Sequence, residues 1–323
     1  MEAMFGWVPA SFVLEPGGAV TSFPSRPYTL QAIYFVWSVS AMEATLVSKL
    51  DAVRGIIAKL PSALVSYSGG VDSTLVAYLC HEVLGERMLA VTAASPLLPP
   101  RDLSRAIAVA KKLDIPFEML EMDEISLPGF EDNPPERCYL CKRFRLELLG
   151  RKAREWGYEA LLEGSNLDDA SLHRPGRKAG LELGALSPLE EALLGKEEVR
   201  AAARRLGLPN WDAPSRPCLA TRFPYGMTLD RALLARVDAA EEWLESLGVR
   251  QLRVRVEGPG GARIEVEQGD IDRLRGEEVR ARLVKKFRGL GFKLIRLDLE
   301  GFRSGSMDEE GRDRTCEDLY IEE

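Results

Sequence analysis

A chain of 323 residues with 46% hydrophobic side chains has room for about two domains and a sizeable core. Its 50 acidic residues against 43 basic ones leave a net charge of −7, which speaks against the broad basic footprint of a nucleic-acid binder. Only two histidines occur, His81 and His173, and neither stands in a metal- or triad-type pattern, so a His-rich zinc site and imidazole acid–base chemistry are disfavoured.

Residues 1–41 differ from the rest. They carry no Lys, one Arg (Arg26), several Pro and Gly, and an apolar stretch from Ala32 to Met42 that is too short to span a membrane. A weakly ordered extension, or a start placed ahead of the true one at Met42, is expected there. From Met42 the spacing of Leu46, Leu50, Val53, Ile57 and Leu60 predicts an amphipathic helix. Ala63–Tyr67 reads as a buried strand and Ser73–Leu84 as a helix, with Ser68-Gly-Gly-Val-Asp-Ser73 between them. Met88–Thr92, Phe117–Glu121 and Glu159–Glu163 read as further strands, and Asp102–Leu113 and Arg143–Trp156 as helices. Strands alternating with helices predict an α/β fold, a doubly wound parallel sheet, over residues 42–226. Ligands of such sheets bind beyond the strand C-termini. Polar residues do collect there, at Ser68–Ser73, Thr92–Ser95 and Gly164–Asp169. A basic loop, His173–Ala179, follows, then a helix over Lys196–Leu206 that ends at Gly207. Trp211–Gly226 contains Pro214, Pro217 and Pro224, which argue against a long helix or a central strand. It reads as a constrained loop bearing Cys218, Arg216 and Arg222. Residues 227–300 predict a smaller α+β domain: a helix over Arg231–Leu247, strands at Gln251–Val256 and Arg263–Glu267, a helix over Asp270–Leu290 and a strand at Lys293–Leu297. Charged and apolar residues alternate along its strands, which predicts one solvated face. No catalytic constellation stands out there, so a scaffold or oligomer-contact role is expected. An acidic tail is expected over 301–323.

Two glycines in Ser68–Ser73 permit a tight turn and close approach of backbone amides to a ligand. The following helix adds its positive end. Such a turn suits a phosphate or pyrophosphate, with Ser68 and Ser73 as hydroxyl donors, Gly69 and Gly70 as backbone donors and Asp72 as a Mg2+ partner. No Lys follows the glycines, so it is not a GxxxxGK[ST] loop. The run resembles the signature of the PP-loop ATP pyrophosphatases. That resemblance implies ATP cleaved between its α and β phosphates, with adenylation of a substrate oxygen.

Five cysteines without a secretory framework point to a reducing, cytoplasmic setting. Cys80 lies in an apolar helix and reads as core, and Cys316 as incidental. Cys138-Tyr-Leu-Cys141 leaves three readings. A thioredoxin-like pair lacks its usual setting, and a structural zinc lacks its second pair. A 4Fe-4S cluster can be held by three cysteines, with Cys218 as the third, leaving one iron open. In a PP-loop protein the last reading is favoured.

The run from Asn133 through Pro135-Glu-Arg-Cys-Tyr-Leu-Cys-Lys142 narrows the likeness, together with Gly164–Asp169, Arg174-Pro-Gly176, Glu182-Leu-Gly184, Ser187-Pro-Leu189 and Pro217–Gly226. These runs resemble the LarE family of ATP-dependent sulfur transferases, from about Met42 to Glu300. The resemblance implies adenylation of a carboxylate of pyridinium-3,5-biscarboxylic acid mononucleotide and its conversion to a thiocarboxylate for a nickel-pincer cofactor. It further implies a homo-oligomer, with a hexamer among its forms, and an unidentified sulfide donor. Some members sacrifice one Cys, leaving dehydroalanine, and Cys218 matches it. Others add a C-x-x-C and use a three-Cys cluster, and the presence of Cys138 and Cys141 favours that route. Neither step needs a His base. Arg174, Arg216 and Arg222 are candidate contacts for substrate phosphate or carboxylate. The rivals are a tRNA thiolase, disfavoured by the acidic balance, an amide-forming synthetase, which needs none of the three cysteines, and a non-catalytic binding protein.

Overall fold

A computed structural model describes residues 30–171, 175–258 and 260–303, with backbone alone for 30–43, 170, 171 and 175. Helix α1 (Leu30–Ile57) starts ahead of Met42, because nothing between Leu30 and Met42 breaks a helix. Its part up to Thr45 belongs to one unit of the chain, and Leu46 onward to another, which holds both sheets.

Four parallel strands form the first sheet in the order β3-β2-β1-β4: β1 (Ala63–Ser66), β2 (Met88–Ala94), β3 (Phe117–Glu121) and β4 (Ala160–Leu162). Ala63 lies opposite Met88 on one side and Ala160 on the other, so β1 is internal. Alternate side chains of β1 and β2 divide between the two faces. Ala63, Val65 and Ala90 pack with Leu50, Val53 and Ile57 of α1, Leu75, Val76 and Leu79 of α2 (Val71–Leu84), and Val199, Ala202 and Ala203 of α8 (Lys196–Arg205). Leu64 and Val91 point the other way, onto Leu149 and Ala153 of α4 (Arg137–Glu155). Helices on both faces make the sheet doubly wound, as the alternation of elements predicts. Between β2 and β3 runs α3 (Pro100–Lys112), and between β4 and α8 lie the short α5 (Leu167–Ser171), α6 (Pro175–Glu182) and α7 (Pro188–Glu191).

The second sheet, β5-β6-β7, joins β5 (Leu252–Val256) antiparallel to β6 (Gly261–Val266), and β6 parallel to β7 (Leu294–Leu297). Helix α9 (Arg231–Ser246) precedes it. The single helix expected over Asp270–Leu290 is two, α10 (Gln268–Arg275) and α11 (Glu277–Gly289), because Gly276 takes φ −52°, ψ 138° and breaks the hydrogen-bond ladder. The solvated strand face is overturned: all five residues of β5 are buried, Arg253 and Arg255 to 5% exposure, and Glu265 on β6 to 1%. Arg255 pairs with Glu265 and Arg253 takes backbone carbonyls instead of facing water. The second core is not confined to residues after 227. Leu97, Ile125, Phe130, Leu219 and Phe223 join Leu234, Val254, Ile264 and Phe287 in it, and Cys141 and Cys218 pack against it.

Candidate active site

The turn after β1 is built by steric necessity. Gly69 has φ +73°, and a Cβ there would lie 2.6 Å from the Ala106 Cβ of α3, so no other residue fits. Gly70 then caps α2 in extended backbone, and Asp72 enters its first turn. Ser68 and Ser73 face each other, Oγ to Oγ 3.0 Å, with the Ser68 amide donating to Ser73 Oγ at 3.2 Å. Ser73 Oγ in turn donates to the Gly70 carbonyl at 3.1 Å. The hydroxyls are thus held by the turn itself, beside the positive end of a 14-residue helix. Asn210, which sequence reasoning missed, braces the turn from 141 residues away: its Nδ2 donates to the Gly69 carbonyl at 2.8 Å and to Thr74 Oγ1 at 2.9 Å.

Asp72 carries the second missed residue. Its Oδ1 accepts from Asn166 Nδ2 at 3.1 Å, and its Oδ2 is paired with the ammonium of Lys196 at the start of α8. Lys196 thereby supplies the cation that the turn's own sequence lacks. The paired aspartates of the Gly164–Asp169 loop act as caps here: Asp168 accepts from the Lys196 amide at 2.7 Å, and Asp169 from the Asn166 amide at 3.1 Å.

Helix α4 begins at Arg137 rather than Arg143, since Cys-Tyr-Leu-Cys holds no breaker and the prolines at 134 and 135 precede it. Cys138 and Cys141 therefore sit on its first turn, three residues apart and on one face. Cys218 stands just ahead of a single 3₁₀ turn, Leu219–Arg222. None of the three is in a disulfide, Cys138 being exposed and the other two half-buried. Burial pushes the Cys141 thiol up to about 12; Arg145 opposes this, and the neighbouring Cys218, Glu124 and Cys138 add to it. Cys141 and Cys218, from two distant segments, pack against the same apolar core, with Cys138 on the same helical face as Cys141. As their side chains stand, no three Cys, His, Asp or Glu groups among the described residues converge tightly enough to grip a metal ion. The donor set nonetheless suits a thiolate-held cluster: three thiols and a buried Glu124 whose Oε2 has no hydrogen-bond partner, with Cys141 Sγ 4.0 Å from its Oε1.

Of the arginines singled out in the sequence, Arg174 lies outside the described residues. Arg216 and Arg222 line one cavity with Arg101, Arg250 and Arg253. Both already hold carboxylates. Arg216 pairs with Glu245 at 2.6 Å and Asp102 at 3.3 Å. Arg222, 3% exposed, grips both oxygens of Glu241 at 2.8 Å and donates to the carbonyls of Pro217 and Cys218. Burial works against the Glu241 charge, yet Arg222, the Val254 amide and Arg101 hold its pKa below the ordinary range. Arg253 is different. Among the described residues it has no carboxylate; it donates to the carbonyls of Leu252 and Ser215 and stacks over Phe302. Burial, with Arg222 beside it, brings its pKa down to about 10. A buried guanidinium short of a counter-charge is the side chain in this cavity best suited to an incoming anion. Its signal in the sequence is the alternation Leu-Arg-Val-Arg-Val, which looks the same for a solvated face.

Comparison with known proteins supports the same reading. A family model described as NAD synthase matches residues 46–149. The pyridinium-3,5-bisthiocarboxylic acid mononucleotide synthase of Lactiplantibacillus plantarum is 37% identical over 268 residues, 82% of this chain and 96% of that protein. The chain belongs to the LarE family. An uncharacterized Synechocystis protein is 42% identical over 263 residues, 81% of this chain and 98% of its own. The GMP synthase of Aeropyrum pernix is 30% identical over 207 residues, 58% of this chain but 40% of that protein. As a LarE-family protein with a PP-loop domain, the chain is an ATP-dependent sulfur transferase. No helix among the described residues is long and apolar enough to cross a membrane.

Proposed function

We propose that this enzyme uses ATP to adenylate a carboxylate of pyridinium-3,5-biscarboxylic acid mononucleotide and then converts it to a thiocarboxylate, with sulfur delivered at Cys138, Cys141 and Cys218. The observation that carries the reading is the union, in one chain, of a PP-loop turn with a C-x-x-C helix start and a Cys218 segment that pack against one core. The relative from Lactiplantibacillus plantarum, a synthase of the bisthiocarboxylic mononucleotide, supports the substrate.

A carboxylate is a poor electrophile because its leaving group is oxide. Attack of its oxygen on the α-phosphorus of ATP breaks the bond to the β-phosphate and gives an acyl adenylate and pyrophosphate. The amides of Gly69 and Gly70, the hydroxyls of Ser68 and Ser73 and the α2 N-terminus are placed to take the charge that builds on the departing pyrophosphate. Asp72 would hold Mg2+, whose chemistry there is neutralisation of phosphate charge. The Lys196 ammonium, paired with Asp72 in the structure, would then be at hand for the phosphates. Arg253 receives the phosphate or second carboxylate of the mononucleotide, and Arg222 fixes the Cys218 segment through its carbonyls.

Cys138, Cys141 and Cys218 would hold a 4Fe-4S cluster, whose chemistry when bound is the supply of sulfide. Sulfide adds to the acyl carbon and AMP leaves, so no side chain need act as a base. A homo-oligomer in a reducing compartment, resupplied by an unidentified sulfide donor, completes the reading.

The test is turnover of protein purified without oxygen, with the mononucleotide, ATP and Mg2+. We expect about four iron per chain, pyrophosphate release that needs the mononucleotide, and a product with sulfur in place of oxygen. Pyrophosphate release with ammonia in place of sulfide, unaffected by Cys→Ser at all three positions, would overturn it in favour of an amide-forming synthetase. Protein without iron whose Cys218 becomes dehydroalanine would replace the cluster with a sacrificial cysteine.

A further inference from the structure

The three cysteines come from segments that share no local structure. Cys138 and Cys141 ride on α4, whereas Cys218 lies on a proline-rich segment with a single 3₁₀ turn. Such a segment has few hydrogen bonds of its own, so its placement depends on tertiary anchors. One anchor is the Leu219 amide, which donates to the Leu97 carbonyl at 2.9 Å. Arg222, held on Glu241, is a second. A further one is more elaborate and lies on the residues that lead into α4.

Asn133 is fully buried and has φ +51°, a left-handed conformation that Asn tolerates better than most residues. In that pose its Nδ2 donates to the carbonyls of Phe223 at 3.0 Å and Pro224 at 2.9 Å. Its own carbonyl accepts from the Gly226 amide at 3.2 Å. Its Oδ1 accepts from Arg137 Nη1 at 3.1 Å. The Arg137 guanidinium then lies 4.2 Å over the ring of Tyr225. Arg137 directly precedes Cys138 and stands one helical turn ahead of Cys141. It is 4% exposed, forms no salt bridge among the described residues, and its buried Nε has no acceptor. A guanidinium buried on these terms costs stability, so burying it there needs a return other than packing. The return it obtains is attachment of the Cys218 segment to the start of the C-x-x-C helix.

We propose that Asn133, Arg137 and Tyr225 are positioning residues, a clamp that holds the Cys218 segment beside the start of the C-x-x-C helix so that the three thiols can close on one ligand. This rests on the three-cysteine reading above, and it extends that reading by assigning the placement of the two segments to the protein rather than to the ligand. The ligand class is a thiophilic centre that takes three thiolates.

Arsenite tests the clamp without iron, because As(OH)3 condenses with three thiols to As(SR)3 and three waters. The readouts are arsenic per chain by mass spectrometry, affinity by titration and melting temperature, all on the full-length metal-free protein. Wild type should bind one arsenic per chain, lost on Cys→Ser at 138, 141 or 218. Tyr225→Phe, which keeps the ring, should bind as wild type, whereas Tyr225→Leu and Asn133→Ala should bind about tenfold more weakly or worse while still folded. Should Tyr225→Leu not fold, Arg137→Lys takes its place, since it keeps the charge but loses the planar stack. A folded Tyr225→Leu (or, in its place, Arg137→Lys) with wild-type affinity overturns the clamp, as does arsenite binding that ignores Cys218. Anaerobic iron reconstitution separates the two levels. No iron uptake with the arsenite pattern intact removes the cluster and leaves the clamp. Normal iron uptake with arsenite binding indifferent to Tyr225 removes the clamp and leaves the cluster.

Discussion

Lys196, the first residue of α8, pairs its ammonium with the carboxylate of Asp72, in the first turn of α2, across 124 residues of chain. The PP-loop turn therefore has a cation after all, delivered from another element and parked on the acid that Mg2+ would claim. Lys196→Met should lower the rate of pyrophosphate release about a hundredfold, the scale of losing one preorganised charge partner in a transition state. Its backbone amide, which Asp168 caps, is untouched, so the melting temperature should hold. A stopped assay for pyrophosphate checks this, and an unchanged rate would sink the role.

Arg253 makes the opposite kind of prediction, because stability and binding should part company. Removing a buried guanidinium without a carboxylate should leave the melting temperature unchanged or higher. Arg253→Leu should at the same time raise KM for the mononucleotide about tenfold or more, through loss of a charge-assisted contact. A large fall in melting temperature would instead make Arg253 structural.

Glu241 links three parts of the protein: Arg222 of the Cys218 segment, Arg101 of α3 and the Val254 amide of β5. Glu241→Gln leaves Arg222 buried with half its partner, and a loss of about 3–5 kcal/mol is expected from denaturant unfolding. A loss under about 1 kcal/mol, the range of an exposed pair, would mean that Glu241 is no anchor.

Acid should act through the same residues. The pKa of Glu241 and of Glu245 is lower in the folded protein than the ordinary glutamate value of 4.5, in each case because arginines outweigh burial. The unfolded chain therefore binds protons first as pH falls. Stability from these two groups is complete above about pH 4.5 and is lost as pH drops below it through the folded values. Melting temperatures between about pH 3 and 6 should show a steep acid limb that becomes shallower in Glu245→Gln. An unaltered limb would place the acid sensitivity elsewhere.

Gly69 is a backbone prediction. Gly69→Ala combines a strained φ with a Cβ 2.6 Å from Ala106 Cβ, and should cost roughly 2–4 kcal/mol. Adding Ala106→Gly should recover part of that loss, since it relieves the clash but not the strain. Failure of any recovery would show that φ alone decides the position.

What is legible in the sequence is local. The turn at Ser68–Ser73, the alternation of strands and helices and the likeness of the Cys138–Cys141 and Cys218 runs to one family all follow from residues close in the chain. Asn210 and Lys196 act on the PP-loop from 141 and 124 residues away, and nothing in their own neighbourhoods marks them. Arg253 and Arg255 escape a sequence reading because alternation reports only that two faces differ. It does not say whether the charged face meets water or, as here, a buried carboxylate for Arg255 and backbone carbonyls for Arg253. Gly276 is visible as a glycine, but one glycine in a helical pattern is usually tolerated, so its break in the helix is not.

Leu97, Ile125, Phe130, Leu219 and Phe223 precede the second domain in the chain yet belong to its core. During synthesis these side chains leave the ribosome with nothing to cover them until Leu234–Phe287 has followed. The ATP-binding half can close its sheet early, but the segment bearing Cys218 settles only when the last third of the chain is present. A stalled chain would thus display its PP-loop turn with the Cys218 segment still unanchored beside Cys138 and Cys141.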